Sequence, residues 1–303
     1  MSQLLSNISI LIDAPIFNLA LLIDGLLIGS VFALAAYGLA LVWGVMNVKN
    51  LAQGDFVMIG GYIAWWMGQH GIHPLFGVPV AIIALWVIGR IVYVLVIRRV
   101  IEQDLFTSLL ATFGVAIVIE QVLNLMFSSD TQSAETGFSS FSLFGGMVTL
   151  PIAKLIAFWL AAGLAGSVIL FMKKSRMGQA IRATAQDARA ARVMGINTDK
   201  VYAFTFSLNA AICGAAGALI VMIWVIQPFF GITYSIRSFV IVTAAGFGNL
   251  PGVIAAGLGM GVFEQFGGFV FGAEFQQAIV VGLLVAVLII RQIQQARNRQ
   301  VVQ

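Results

Sequence analysis

Few residues in this 303-residue chain have the type and spacing that chemistry needs. His70 and His73, in His-Gly-Ile-His-Pro, are the only histidines, and no Cys, Asp or Glu stands near them to complete a metal-ligand set. A solvated turn is the expected reading. Cys213 is the single cysteine, so an internal disulfide is impossible. The chain has no Gly-x-x-x-x-Gly-Lys-Ser/Thr phosphate loop, no Gly-x-Ser-x-Gly elbow and no His-Glu-x-x-His helix. It is expected to be no enzyme.

A second group consists of charges set inside apolar runs, where ionised side chains are costly in lipid and often functional. Asp24, Glu120, Glu264, Arg90 and Arg237 belong to it. Asp24 and Arg237 fall within about two helical turns of the ends of their runs, where snorkelling or interfacial pairing serves them. Glu120 and Glu264 sit deeper, and two readings stand for each: an interhelix hydrogen bond, or a place on a solute path. An ion-coupled carrier is the alternative function that such charges raise.

The third group lies in 173–200, which holds seven of the sixteen Lys and Arg residues. Its composition favours helix. Arg182, Gln186, Arg189 and Arg192 recur at helical spacing to form a basic face, opposite Ile181, Ala185, Ala188 and Ala191. Gly195 stops the helix. A short helix with a small-residue face fits a groove on another protein; the plainer alternative is a basic loop resting on lipid headgroups.

The elements that must position these groups follow from composition. The chain is 60% apolar and 9% charged, with a mean hydropathy of +1.01 and a net charge of +4. Soluble domains are about one-quarter charged, so this balance excludes a cytosolic enzyme, a nucleic-acid binder and a tethered receptor. The reading is an all-α, polytopic transmembrane bundle of about 8–10 spans, forming one membrane domain over 1–303. Apolar runs predict spans near 19–45, 54–68, 76–97, 105–127, 151–172, 201–226, 236–249, 253–270 and 275–291. The Gly-rich stretch 244–261 reads either as two spans or as a broken, re-entrant segment. Lys and Arg gather at 98–99, at 173–200 and from Arg291 onward, while 69–75, 128–150 and 227–235 have none. The positive-inside rule then places the C-terminus in the cytoplasm. Gly25/Gly29, Gly248/Gly252 and Gly257/Gly261 are spaced for close helix packing or for lining a path.

Gly178-Gln-Ala-Ile-Arg-Ala183, Asp187, Ala190-Ala191 and Met194-Gly-Ile-Asn197 resemble the cytoplasmic loop of bacterial branched-chain amino acid ABC transporter permeases of the LivH type. Tyr37 to Gly44, Asn50-Leu-Ala-Gln-Gly54, Met58-Ile-Gly-Gly-Tyr62, Thr112-x-Gly114 with Glu120, and Gly246-x-Gly248 to Pro251-Gly252 resemble the family's other signature stretches, in order along the chain. Gln53 and Gly61 depart from it, standing where His and Ala are usual. The resemblance implies the permease subunit of a binding-protein-dependent importer in the bacterial inner membrane. Its cargo would be branched-chain amino acids or related small amino acids, amides or urea. The implied partners are a second, LivM-like permease subunit, two ATP-binding subunits and a periplasmic substrate-binding protein, with lipid around them. The chain itself would bind no cofactor, since ATP and Mg belong to the ATPases. Arg182, Asp187, Ala190, Ala191, Met194 and Gly195 would couple to an ATPase. A zwitterion also needs polar partners along its path. Asn50, Gln53, Thr112, Glu120 and Asn209 are the candidates, with packing hydrogen bonds as the alternative role. The outer loop 128–150, carrying Asp130 and Glu135, is a candidate dock for the binding protein.

Overall fold

The computed structural model describes residues 2–101, 103–143, 148–246 and 248–300. Within the outer loop, residues 144–147 lie outside the described residues. A short helix α1 (Ser2–Asp13) leads into α2 (Pro15–Met46), α3 (Gln53–Gln69), α4 (Gly77–Val92), α5 (Arg98–Val100), α6 (Leu105–Phe127) and α7 (Ile152–Lys174). Then come α8 (Arg176–Gln186), α9 (Ala188–Val193), α10 (Thr198–Ile223), α11 (Gly231–Ala245), α12 (Leu250–Phe271) and α13 (Gln276–Gln300). A π-helical turn over Tyr93–Ile97 joins α4 to α5 without a break. The loop between α6 and α7 also holds a hairpin of β1 (Ser140–Leu143) and β2 (Val148–Pro151), pairing Phe141 with Leu150. The architecture is a polytopic helical bundle.

Among the described residues, eight helical segments are long and apolar enough to cross a membrane. Helix α3, at 17 residues, falls just short: about 26 Å at 1.5 Å per residue, against a hydrocarbon core of ~30 Å. It is short because it starts inside the protein. Helix α2 ends at Asn47, whose φ of 53° is a left-handed conformation that Asn tolerates. Non-helical chain then runs to Ala52 with Asn50 and Ala52 wholly buried. Of the two readings of 244–261, the structure follows the two-span one. That stretch gives a tight turn, with positive φ at Gly246 and Gly248, followed by an unbroken α12. The re-entrant break lies at 47–52.

Helix α10 is the axis of the bundle, its membrane window mostly buried and packed against α2, α3, α4 and α7. Glycines make the approach possible. A Cβ on Gly217 would fall on the Val57 carbonyl, one on Gly60 on the backbone of Gly214, and one on Gly54 on Gly231. The Gly25/Gly29 and Gly257/Gly261 pairs meet each other where α2 crosses α12. For these four glycines the packing reading holds, since carbonyl and Cα atoms of the partner helix fill the space a side chain would occupy.

Three intramembrane charges also find partners here. Asp24 takes Lys154 Nζ at 2.5 Å and Gln265 Nε2 at 2.5 Å near the end of the bundle, as an interfacial pair. Glu264 makes an interhelix ion pair, and its partner is Arg237. The snorkelling expected for Arg237 is corrected: the residue is 7% exposed, because α11 turns its guanidinium inward toward Glu264 and three aromatic rings.

The packing reading predicts that Gly217→Leu loses about 1–3 kcal/mol or more through overpacking. Gly163→Ala, where nothing lies within 4 Å, should be neutral or slightly stabilising. Thermal unfolding of the detergent-purified protein checks both, and equal melting of Gly217→Leu and wild type would refute the contact.

Candidate functional site

Residues 47–52 leave helical geometry, and their amides must be satisfied by protein because lipid offers no partners. Side chains from α6, from α11 and from the segment itself satisfy the amides of Leu51, Gly54 and Ala52. Thr112 of α6 accepts from the Leu51 N–H at 3.2 Å, and its hydroxyl faces the carbonyl oxygens of Lys49 and Leu109 at 3.2 and 3.0 Å. Ser235 of α11 accepts from the Gly54 N–H at 2.8 Å and donates to the Leu51 carbonyl at 2.7 Å. Asn50 Oδ1 takes the Ala52 N–H at 3.2 Å. The break and the first turn of α3 are thus held by side chains from two other helices.

The break lies deep in the membrane region. Gln53 Nε2 donates to the Ala35 carbonyl at 2.8 Å and lies 2.9 Å from Cys213 Sγ. Cys213 is about 22 Å from the start of α10 and about 15 Å from its end. Its thiol in turn faces Asn209 Oδ1 at 3.7 Å. Asn50, Gln53, Thr112 and Asn209 therefore gather around one feature, all four buried. Glu120 does not join them. It lies eight residues beyond Thr112 on α6, half-buried, and makes no hydrogen bond or ion pair among the described residues, though it is near enough to Asp55 for their charges to repel.

Sequence reasoning passed over Asp55. It occupies the first turn of α3, is 1% exposed, and both its carboxylate oxygens lack hydrogen-bond partners among the described residues. It packs against Gly231, where α11 begins, so the N-termini of two helices meet at a carboxylate. The available signal was an acidic residue directly following Asn50–Gly54 in an apolar chain. Asn50 Nδ2, Gln53 Oε1 and Asn209 Nδ2 are likewise buried without partners, leaving donors and acceptors unused around the break.

On the side with the basic loops, the expected single helix is two. Asp187 is extended (φ −155°, ψ 107°), ends α8 and caps α9, accepting from the amides of Arg189 at 2.8 Å and Ala190 at 3.0 Å. Those amides hold its carboxyl below the usual range, so it is ionised at neutral pH and its cap weakens only as pH falls through that lowered value. The continuous basic face over Arg182, Gln186, Arg189 and Arg192 is corrected, because the kink at Asp187 turns α9 away from α8. Ala191 is 4% exposed and packs into its own chain. Arg182, Ala190 and Gly195 are exposed, and Val193 and Met194 stand out at 87% and 81% exposure. Gly195 has φ +84°, which lets its N–H return to the Arg192 carbonyl. Arg192 Nε reaches Thr198 Oγ1 at 2.7 Å, tying this elbow to the first turn of α10.

The histidines serve local structure. His73 Nδ1 accepts from the Leu75 N–H at 3.2 Å and Nε2 lies 3.1 Å from the Thr136 carbonyl. Among the described residues no cluster of His, Cys, Asp or Glu could hold a metal ion.

Thr112→Val should cost about 1–3 kcal/mol by leaving break amides unsatisfied, while Thr112→Ser stays near wild type. Melting temperatures in detergent decide this; equal values for the Val and Ser variants would remove Thr112 from the support of the break.

Comparison with known proteins matches residues 21–288 to the family described as branched-chain amino acid transport system, permease component. The chain is 30% identical over 284 residues to the high-affinity branched-chain amino acid transport system permease protein BraD of Pseudomonas aeruginosa, covering 89% of this chain and 92% of that one. It is 28% identical over 298 residues to the LivH permease proteins of Salmonella typhimurium and Escherichia coli, covering 91% of this chain and 94% of each. No solved structure matches it. With a polytopic bundle and a family match spanning most of its length, the chain belongs to the branched-chain amino acid transport system permease family.

Proposed function

We propose that this chain is a permease subunit of an ATP-driven ABC importer that moves branched-chain amino acids, or related small amino acids and amides, into the cytoplasm. It works with a second permease subunit, two ATP-binding subunits that hold the ATP and Mg, and a periplasmic binding protein. Relatives bearing branched-chain amino acid transport names support the cargo class. The basic connections support a cytoplasmic α8–α9 elbow and C-terminus.

The observation that carries the reading is the exposed Val193–Met194 tip. Two large apolar side chains stand almost fully in solvent at the end of a capped, six-residue helix. Such a knob fits a groove on another protein. Asp187 and Gly195 shape it, Ala191 anchors it, and Arg182 and Ala190 flank it. The Arg192–Thr198 bond hands movement of the elbow to α10. At its middle, α10 meets the break through Cys213 and Asn209. Closure of the ATPases would bias this pair of elements between two arrangements. Around the break, Asn50, Gln53, Asn209 and Asp55 supply the polarity that a zwitterion needs, Thr112 holds the backbone, and Glu120 on α6, near enough to Asp55 for their charges to repel, adds to the polarity of the path. The loop 128–150 with Asp130 and Glu135 is the dock for the binding protein.

Met194→Glu should leave expression, membrane insertion and melting unchanged. It should lower ATP-dependent leucine uptake by about tenfold or more, the scale of losing an interface anchor. Uptake and ATP hydrolysis by the reconstituted complex are the readouts. Normal uptake by both Met194→Glu and Val193→Glu would remove the elbow from the coupling path.

A further inference from the structure

On the side opposite the basic loops, the α10–α11 connection and the α12–α13 turn enclose a cavity of about 190 Å³. Its walls include Trp224, Val225, Phe230 and Tyr234, with Arg237 at its base and Glu274 among its lining. It falls below the ~300–1,000 Å³ of drug-sized sites and suits one small solute.

The Arg237 side chain is more than nine-tenths buried. Its Nε donates to Glu264 Oε2 at 3.2 Å and its Nη2 to Glu264 Oε1. Among the described residues Nη1 has no hydrogen-bond partner. The guanidinium lies 5.0 Å from the Phe32 ring centroid, 5.2 Å from Tyr234 and 5.7 Å from Trp224, which fix it in place. One edge of the fork is therefore committed to Glu264, and the other is left to the cavity. Guanidinium donors in a fixed plane match a carboxylate. Glu274 is exposed at the rim and offers a negative charge at the open end. Trp224, Val225 and Phe230 leave apolar surface beside them.

A larger cavity of about 900 Å³ lies between α3, α4 and α6, lined by residues such as Ile59, Ile63, Val118 and Leu123. It has no charged lining residue and suits lipid chains. A third cavity, between Arg192 and Asp199 at the elbow, also carries both charge signs, but its only large apolar wall is Ile196; the smaller cavity sets both signs against several apolar and aromatic walls.

We propose that the Arg237 cavity is an outward-facing subsite for a free amino acid with a short apolar side chain. The carboxylate sits on Arg237, the ammonium on Glu274, and the side chain against Trp224 and Phe230. The site receives the solute on the side where a binding protein would release it, so this assignment rests on the transport function proposed above.

The test uses the complete transporter in nanodiscs, with binding of radiolabelled leucine measured without binding protein and leucine uptake measured with it. Val225→Trp fills the cavity from an exposed position, and Glu274→Gln removes the rim charge without touching the Arg237–Glu264 pair. Each should weaken leucine binding by about tenfold or more and raise the KM of uptake, with melting unchanged. Leucinamide, lacking the carboxylate, and 4-methylpentanoate, lacking the amine, should each compete at least about tenfold more weakly than leucine. Wild-type leucine binding and KM in both variants would overturn the subsite, as would displacement of leucine by anionic phosphatidylglycerol with no discrimination among the three solutes. Absence of any ATP-dependent leucine uptake by the wild-type complex would instead overturn the transport function, which keeps the two failures apart.

Discussion

Inside a bilayer, a backbone that leaves helical geometry must find protein partners for every amide it frees. That constraint governs the segment 47–52, and much of the bundle is arranged to satisfy it. Thr112 from α6, Ser235 from α11 and Asn50 from the segment itself supply hydrogen bonds. These contacts require α3 and α11 to approach closely, and Gly54 and Gly231 permit it. The same approach sets the short length of α3 and brings two helix N-termini to Asp55. Unsatisfied polar groups of about 1–3 kcal/mol each are large against the stability of an ordinary fold, so the break and its support form one structural unit.

Helix α10 gives that unit its mechanical setting. Its first turn is tied to the elbow by Arg192 and Thr198, and its middle lies against Gln53. Gly214 and Gly217 let α4 and α3 pack directly on its backbone. A helix so closely packed moves as a body, because a filled interior does not deform gradually. Displacement at the elbow would then reach the break without passing through soft intermediates. The Arg237–Glu264 pair plays a parallel part between α11 and α12. Neither charge could remain in that place alone, so the pair fixes the two helices to each other.

The sequence makes the spans legible because crossing lipid demands ~20 apolar residues whatever the tertiary contacts. The glycine spacing pointed to close packing or to a path, and the structure shows that Gly25/Gly29 and Gly257/Gly261 pack on each other. The break at 47–52 was less visible, since Asn50, Gln53 and Thr112 are polar residues whose meaning depends on helices far away in sequence. Gly-rich 244–261 carried the stronger local signal of interruption, yet its glycines serve a turn and a helix crossing. Arg237 looked interfacial by its distance from a run's end; the inward tilt of its side chain is a tertiary fact. The kink at Asp187 was masked by helix-forming neighbours on both sides. There, side-chain acceptance of two amides outweighs continuing the helix.

Reconstitution tests the central claim, that this chain forms part of a transport path whose motor lies in other polypeptides. Leucine uptake would be measured in proteoliposomes holding the chain with its partner permease, ATPases and liganded binding protein, and in proteoliposomes holding the chain by itself under proton or sodium gradients. The account predicts uptake only with the full set and hydrolysable ATP. Uptake by the chain alone, driven by an ion gradient, would contradict it.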